Sequence, residues 1–432
     1  MLLTSLIMLL VLLILGLPVV FAFTACTLYF LFTGGYQVDF LVPYGFSKVG
    51  TSTLLAIPLF IMAGGLMARG DIGDKLVGLI SLFIGKIRGG LGVVATVSCA
   101  VFGSVTGSAA ATLSCIGSIM FPMMNAANYP RGHTAALVAN SAVLGMLIPP
   151  SNLMILFCWI GGQSVLACFL AGLVPGVILT ALLALTNCFL LRNNTELKAE
   201  TTLSGAARRA EFTHRTKAAV PALIMPVIIL GGIYGGVMTP TEAAAVAVLY
   251  ALPVGFFIYK KLTWNGFVDS FVESATTAGL ILVMSFAIMI MSRIYIMEDV
   301  PQQILDFLFS ISENKYTILF MINIFMIIIG MLMDDVSGVL LCTPILLPVV
   351  QKIGVHPVHF SAILAVNLGL GNVTPPAAPL LYLAGTLNNA RIHEMIKPTL
   401  WMLLFAWIPT LALTTYLPDL SLWLPRLILG IR

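Results

Sequence analysis

Two Pro-Pro pairs, each interrupting an apolar run of membrane-spanning length, are the residues of this chain best placed to do chemistry. The first lies in Val143-Leu-Gly-Met-Leu-Ile-Pro-Pro-Ser151 and the second in Leu370-Gly-Asn-Val-Thr-Pro-Pro-Ala377. A single register of 226 positions relates Pro149 to Pro375, Pro122 to Pro348 and His133 to His359. Proline has no N–H and clashes with the preceding turn, so carbonyls around it lose their helical donors. Ile148, Pro149, Pro150 and Ser151 in the first stretch therefore offer oxygen ligands. Gly371, Asn372, Thr374, Pro375 and Pro376 do so in the second. Broken backbone at membrane depth is tolerated only where protein buries it or it lines a polar cavity. Paired interruptions in two halves of a hydrophobic chain point to a transporter's binding site. A plain kink satisfied by neighbouring helices is the alternative, and it suits a lone proline better than two pairs in register.

Each break has a polar companion segment upstream. Phe102-Gly-Ser-Val-Thr-Gly-Ser-Ala109 offers Ser104, Thr106, Gly107 and Ser108. Hydroxyls and freed carbonyls can ligate Na⁺, while the positive ends of half-helices face a carboxylate. Close helix packing is the competing reading of such small residues. In the second half, Met333-Asp-Asp-Val-Ser-Gly338 brings Asp334, Asp335, Ser337 and Gly338. Carboxylates at membrane depth are functional by default, although here they could instead cap a helix at its aqueous end. Asn367 can hydrogen-bond the second break or join two helices.

The remaining polar motifs read as structural. His356 and His359 are spaced i, i+3, but no cysteine or carboxylate cluster joins them, and Pro357 between them suggests a helix start. Thr239-Pro-Thr-Glu242 also reads as a helix start. Arg293, near a helix end, is expected to snorkel to the interface. No Ser-His-Asp set, HExxH, Walker loop or GxGxxG stands in a usable context, so the chain is not read as an enzyme. No cofactor is implied, and no metal beyond Na⁺ as a coupling ion.

The elements that must position these residues are membrane helices. Of 432 residues 59% are hydrophobic and only 9% charged, with a mean hydropathy of +1.06. Soluble domains carry about a quarter charged residues, so most of the chain belongs in the lipid bilayer. The apolar runs are continuous rather than alternating, which excludes a β-barrel. The +4 net charge forms no nucleic-acid-binding stripe. The seven cysteines lie mostly in apolar runs without CxxC spacing and read as small core residues.

In chain order, residues 1–33 predict two short crossings broken at Pro18, with one long kinked helix as the alternative. A polar loop holding Lys48 follows, then a crossing at 51–67 and a surface helix at 71–86. Residues 90–124 predict a re-entrant hairpin, since each half is short for a full crossing, and 133–161 the first broken helix. A crossing at 171–191 ends the first half, and 192–217 is a basic linker. The second half, 218–432, has crossings at 218–238 and 240–259, an amphipathic stretch at 262–278 and a crossing at 279–296. A surface stretch at 299–313, a hairpin at 316–350, a broken helix at 357–389 and a last crossing at 398–417 complete it.

Topology follows from counting. With the linker cytoplasmic by the positive-inside rule, five crossings and one hairpin per half make 1–191 and 218–432 inverted repeats. Arg69, Lys75, Lys86, Arg88, Arg131, Lys260, Lys261, Arg391 and Lys397 then fall inside with the linker's six cations. Of the 21 basic residues this leaves outside or unassigned only Lys48, Arg293, Lys315, Lys352, Arg426 and Arg432. Both termini fall outside.

These residues resemble the large membrane subunit of TRAP transporters (tripartite ATP-independent periplasmic transporters), the DctM-like family. The resemblance covers essentially the whole chain. It is carried by Gly235-Gly-Val-Met-Thr-Pro-Thr-Glu-Ala-Ala-Ala-Val-Ala247, by Ser104-Val-Thr-Gly-Ser-Ala-Ala-Ala111 running on to Phe121-Pro-Met-Met124, and by the two Pro-Pro motifs. It implies a multi-pass protein of the bacterial inner membrane that takes up an organic anion, a carboxylate or sugar acid, with Na⁺. It also implies a periplasmic substrate-binding protein, a small four-helix membrane partner, and hairpins that move as an elevator against a scaffold. Many relatives carry an acidic residue where Thr112 stands, and a glycine where Ala378 follows the second Pro-Pro. A stand-alone Na⁺–dicarboxylate symporter of similar architecture is the alternative; a polytopic enzyme or passive assembly subunit fits less well.

Overall fold

The computed structural model describes residues 2–36, 38–84, 89–194 and 205–430. Lys86, Arg88, Lys198 and Arg432 of the charge reading, and the linker at 195–204, lie outside them. All regular structure among the described residues is helical. The first half runs α1 (Leu2–Ile14), α2 (Val19–Gly34), α3 (Val38–Val49), α4 (Ala56–Arg69) and α5 (Ile72–Ile84). It continues α6 (Gly90–Thr106), α7 (Ala109–Ala126), α8 (Arg131–Ala142), α9 (Leu144–Leu147), α10 (Asn152–Gly161) and α11 (Val165–Leu191). The second half runs α12 (Gly205–Tyr234), α13 (Pro240–Pro253), α14 (Trp264–Met297), α15 (Val300–Ile311), α16 (Lys315–Leu332) and α17 (Asp335–Lys352). Then come α18 (Pro357–Asn372), α19 (Pro379–Asn388), α20 (Ile392–Met402), α21 (Ile408–Tyr416) and α22 (Pro418–Leu429). Nine spans among the described residues are long and apolar enough to cross a membrane, or ten counting α8–α10, which bends by 41° at its break.

Sequence punctuation explains most boundaries. Between α1 and α2, Gly16 takes φ +79° and Pro18 supplies the N-cap, so the run at 1–33 is two helices rather than one. Helix α13 begins with a capping box, as Thr239-Pro-Thr-Glu242 suggests. The Thr239 N–H donates to Glu242 Oε2 at 2.7 Å, and the Glu242 N–H returns to Thr239 Oγ1 at 3.3 Å. At the start of α18, His356 Nδ1 accepts from the Val358 N–H at 3.1 Å, while His359 Nε2 lies 2.7 Å from the Thr414 carbonyl. The two histidines thus serve different contacts.

The register seen in the sequence reappears in the elements. Helices α7 and α17 begin and end 226 positions apart, and so do the starts of α8 and α18. The same offset places α14 opposite α3, the 3₁₀ turn at Ser52–Leu55 and α4 together. That match accounts for two corrections. The expected loop around Lys48 is helix α3, with Asp39 in its first turn and Lys48 in its last, both favourable to the helix dipole. The expected amphipathic stretch at 262–278 and crossing at 279–296 are one 34-residue helix. Gly50-Thr51 interrupts the first half, whereas Thr276-Thr277 stands at the matching place in the second and helix continues through it.

Other boundaries move as well. Helix α12 starts at Gly205, so the linker's second part is helical, and the last crossing begins at Ile392 rather than 398. The C-terminal α22 was not foreseen. In the first hairpin, α7 alone is long and apolar enough to cross a membrane. Arg293 is exposed, its guanidinium 5.5 Å from the Tyr44 ring centroid.

Packing gathers the helices around the two breaks. The hairpin α6–α7 packs on α8 and α9, and α16–α17 on α18. The halves meet where α10 lies against α17 and α18, and where α11 runs between α6 and α18. Around them α14 packs along α2, α3 and α4, while α12 and α13 cover α5 and α4.

Candidate functional site

The two hairpins dock on their broken helices through pairs of glycines. A Cβ on Gly103 would sit 2.5 Å from Gly145 Cα, and one on Gly371 would sit 2.4 Å from the Gly330 carbonyl carbon. Backbones this close leave no room for any side chain. Gly103, Gly145 and Gly330 were not singled out from the sequence, because a glycine inside a helical run does not announce which other helix approaches it.

At the first break every residue from Gly132 to Cys158 is buried. The backbone turns at Ile148, the Pro149–Pro150 peptide is cis, and Ser151 caps α10 by accepting from the Met154 N–H at 3.3 Å. The Ser151 hydroxyl itself donates to the Met146 carbonyl, one of those the prolines free. The hairpin tip closes over this turn. Gly107, at φ +62°, accepts from the Asn152 N–H at 3.1 Å, and a Cβ there would meet the Pro150 carbonyl at 3.0 Å. Glycine is required on both counts.

The tip is held by its own hydroxyls. Thr112 Oγ1 donates to the Ser108 carbonyl at 2.8 Å and lies 3.0 Å from Thr106 Oγ1. Ser104 Oγ donates to the Val101 carbonyl at 2.7 Å, and Ser108 Oγ caps α7. The positive N-termini of α7 and α10 are therefore both served by serine caps. One oxygen is left over: buried Asn152 Oδ1 has no hydrogen-bond partner among the described residues. An unpaired buried acceptor costs about 1–3 kcal/mol, so this oxygen suits a cation or a water.

The second break is built differently. The Pro375–Pro376 peptide is again cis, and Thr374 Oγ1 donates to the Leu370 carbonyl at 2.6 Å. Pro376 and Ala377 are exposed, however, with Thr374 and Pro375 half-buried. Ala378 takes φ +37°, a region that favours glycine and where the resemblance expects one. At the tip, exposed Asp334 is the N-cap residue of α17 and accepts a short hydrogen bond from the buried Ser337 hydroxyl. Gly338 faces Leu368 of α18. Asn367 is fully buried, donating to Asn323 Oδ1 at 2.9 Å and to the Ile363 carbonyl at 2.8 Å. Asn323 passes the chain on to Thr415 at 3.0 Å. Buried Asn372 Oδ1, like Asn152 Oδ1, has no partner among the described residues.

The structure thus brings Gly107 directly to Pro150 and Asn152, Gly371 to the α16–α18 seam and Gly338 to the α17–α18 seam. It does not bring Asp334 to Pro375–Pro376 by any hydrogen bond among the described residues. The two broken helices themselves touch: a Cβ on Gly369 would lie 2.6 Å from Val143 Cγ1 and 3.0 Å from Trp407. Trp407 Nε1 in turn donates to Asn140 Oδ1 at 2.9 Å. Asn140, Asn152 and Asn323 were not candidates in the sequence; Asn152, directly after Pro-Pro-Ser, was the most findable.

Each hairpin's second helix also borders a cavity shared with α14. Beside α7 it measures about 460 Å³ and is lined by Ser108, Ser114, Ser118, Arg69, Asp74 and Glu273 among others. Arg69 bridges α4 to α14 there, with Ser270 at 2.7 Å and Glu273 at 3.1 Å. Burial, then the hydrogen bond and charge of Asp71, push the Asp74 carboxyl up to about 6. Beside α17 the matching cavity is about 210 Å³, lined by Thr343, Pro344 and Pro348 with Tyr44, Lys48 and Trp159.

Comparison with known proteins agrees with this architecture. Residues 6–420 match the family "Tripartite ATP-independent periplasmic transporter, DctM component". The chain is 35% identical over 390 residues to the isethionate TRAP transporter permease protein DctMQ of Oleidesulfovibrio alaskensis, covering 90% of this chain and 61% of that one. It is 32% identical over 416 residues to the sialic acid TRAP transporter large permease protein SiaM of Vibrio cholerae, covering 96% of each. Among solved structures it is similar in fold to MtrF of Neisseria gonorrhoeae, with TM-score 0.61 and 14% identity over 90% of this chain and 86% of that one.

Proposed function

Because the chain belongs to the DctM component family of tripartite ATP-independent periplasmic transporters, we propose that it is the large permease subunit of such a transporter. It takes up a small organic anion, a carboxylate or sugar acid, across the bacterial inner membrane together with Na⁺. The observation that carries this reading is the orphaned amide oxygen at each break, Asn152 Oδ1 and Asn372 Oδ1, buried beside backbone that prolines have freed. A Na⁺ ion wants oxygen ligands and no proton donors, and helix breaks supply them. Gly107, Pro150 and Asn152 form one oxygen-rich group; Gly371, Asn372 and Thr374 form the other. A substrate carboxylate would be held at the positive starts of α7 and α10, which Ser108 and Ser151 cap.

The hairpins and broken helices form the moving body, related as inverted repeats, and α2–α5 with α12–α14 form the scaffold. The cavities beside α7 and α17 lie on the seam between these two groups, where an elevator would slide. The family works with a small membrane subunit and a periplasmic binding protein, and this chain takes the same partners: a four-helix subunit on the scaffold and a soluble protein that delivers the anion.

Proteoliposomes test this directly. Uptake is expected to require a Na⁺ gradient, the small subunit and the binding protein. In the Ser108→Ala/Thr374→Ala double variant, normal expression with uptake reduced at least about tenfold is expected, the loss of roughly 1.4 kcal/mol of ion or substrate binding. ATP-driven uptake, equal uptake without the binding protein, or full uptake by the double variant would each contradict the reading.

A further inference from the structure

A separate cavity of about 720 Å³ lies where the start of α8, the end of α11 and the start of α20 meet. Its lining includes Arg131, Asn194, His393, Glu394, Lys397 and Trp401. Arg131, His393 and Lys397 are exposed in it, and none forms an ion pair among the described residues. The single carboxylate in the described lining, Glu394, is turned toward its own helix start, where the Arg391 N–H donates to Oε2 at 3.4 Å. Two helices, α8 and α20, also begin at this cavity and add their positive ends. Even with His393 neutral, the balance of the described lining is cationic.

The cavity continues into an apolar aromatic strip. Trp401, which lines it, stacks on Phe405 at 5.4 Å and 5° between planes. Phe405 reaches Phe189 at 6.2 Å, and the Arg192 guanidinium lies 4.5 Å from the Phe189 ring. Trp401, Phe405 and Phe189 are 38%, 43% and 50% exposed, on spans that cross the membrane, so they face acyl chains. Tryptophan marks the headgroup level of a bilayer, so Trp401 stands at the boundary from which Phe405 and Phe189 continue toward the acyl chains. Basic pockets between membrane helices on the cytoplasmic side bind anionic headgroups. A free phosphate would use the cations and leave the strip idle; a phospholipid uses both.

We propose that this cavity is a binding site for an anionic phospholipid. Arg131 and Lys397 pair with the phosphodiester, Arg131 through its planar two-pronged donor set. Trp401 and Phe405 carry the first acyl segment. The proposal needs only the membrane and does not rest on the transport reading.

The test is native mass spectrometry of delipidated protein titrated with phosphatidylglycerol, with phosphatidylcholine or with glycerol 1-phosphate. Phosphatidylglycerol is expected to be retained at least about tenfold more than phosphatidylcholine, equivalent to ~1.4 kcal/mol, and not to be displaced by glycerol 1-phosphate. Arg131→Gln/Lys397→Gln should bring phosphatidylglycerol down to the phosphatidylcholine level at an unchanged melting temperature. Arg131→Lys should keep part of the preference, and Trp401→Ala should weaken both lipids. Unchanged phosphatidylglycerol retention by the folded double variant would overturn the assignment. So would glycerol 1-phosphate binding as tightly as the lipid, since the ligand would then be a soluble anion.

Discussion

Around Pro149–Pro150 the chain is wholly buried, and its turn is stitched to the hairpin tip by the Asn152 N–H bond to Gly107. Around Pro375–Pro376 the same two prolines, with the same cis geometry, leave Pro376 and Ala377 exposed, and no backbone bond joins the turn to its hairpin tip among the described residues. The prolines therefore make a break but do not decide whether it is closed. The tip decides. Gly107 has no side chain and positive φ, so it can lie on the Pro150 carbonyl. Its partner in register is Met333, followed by Asp334, and neither makes a backbone bond to the second turn among the described residues. The carboxylates differ too: the second tip carries its own, while the first has Asp74 of α5 across a cavity of about 460 Å³.

The glycine contacts are what the two halves share, so they give the largest expected effects. Gly103→Ala and Gly371→Ala each force backbone apart and should cost about 1–3 kcal/mol or more, read as a lower melting temperature in detergent. Gly338→Ala should cost much less, because its added Cβ meets only the flexible end of Leu368 at 2.7 Å. A neutral Gly371→Ala would break the equivalence of the two seams.

Accessibility sharpens the contrast. Ala377→Cys should react with a membrane-impermeant maleimide at least about tenfold faster than Ile148→Cys, since thiol reactivity follows access. The native background should be low, because six of the seven cysteines are buried. Equal rates would mean that both breaks are sealed, or both open. A smaller effect is expected at Ala378, where φ is +37°. Removing that strain with Ala378→Gly should stabilise the protein by about 1 kcal/mol, whereas no comparable gain exists at the helical Asn152.

The smallest effect is at Asp74. Its carboxyl is raised to about 6 from the ordinary 3.8, so the stability it adds is present at low pH and fades as pH rises through 6. Asp74→Asn keeps a neutral donor toward Asp71 and should flatten the melting temperature between pH 4 and 6. An unchanged pH profile would contradict a raised Asp74 carboxyl beside Asp71.

Much of this was legible in the sequence, for physical reasons. Proline and glycine punctuate helices wherever they occur, so the turn between α6 and α7, both Pro-Pro breaks and the capped start of α13 follow from local chemistry. The long helix α14 did not, because its charged first part looks like a surface element while nothing in it stops a helix. Helix α3 was hidden by its polar ends. The glycine seams and the Asn367–Asn323–Thr415 chain depend on which helix lies alongside, and one strand of text does not say. The unpaired oxygens at Asn152 and Asn372 became visible only once every neighbouring donor was placed.

The most direct test of the proposed pair of ion sites is the Na⁺-dependent shift in melting temperature, NaCl against KCl, of the wild type and of Asn152→Ala, Asn372→Ala and the double variant. The expected result is stabilisation by Na⁺ in the wild type, a reduced shift in each single variant and none in the double. A double variant that folds and keeps the full Na⁺ shift would contradict the assignment of the coupling ion to the two breaks.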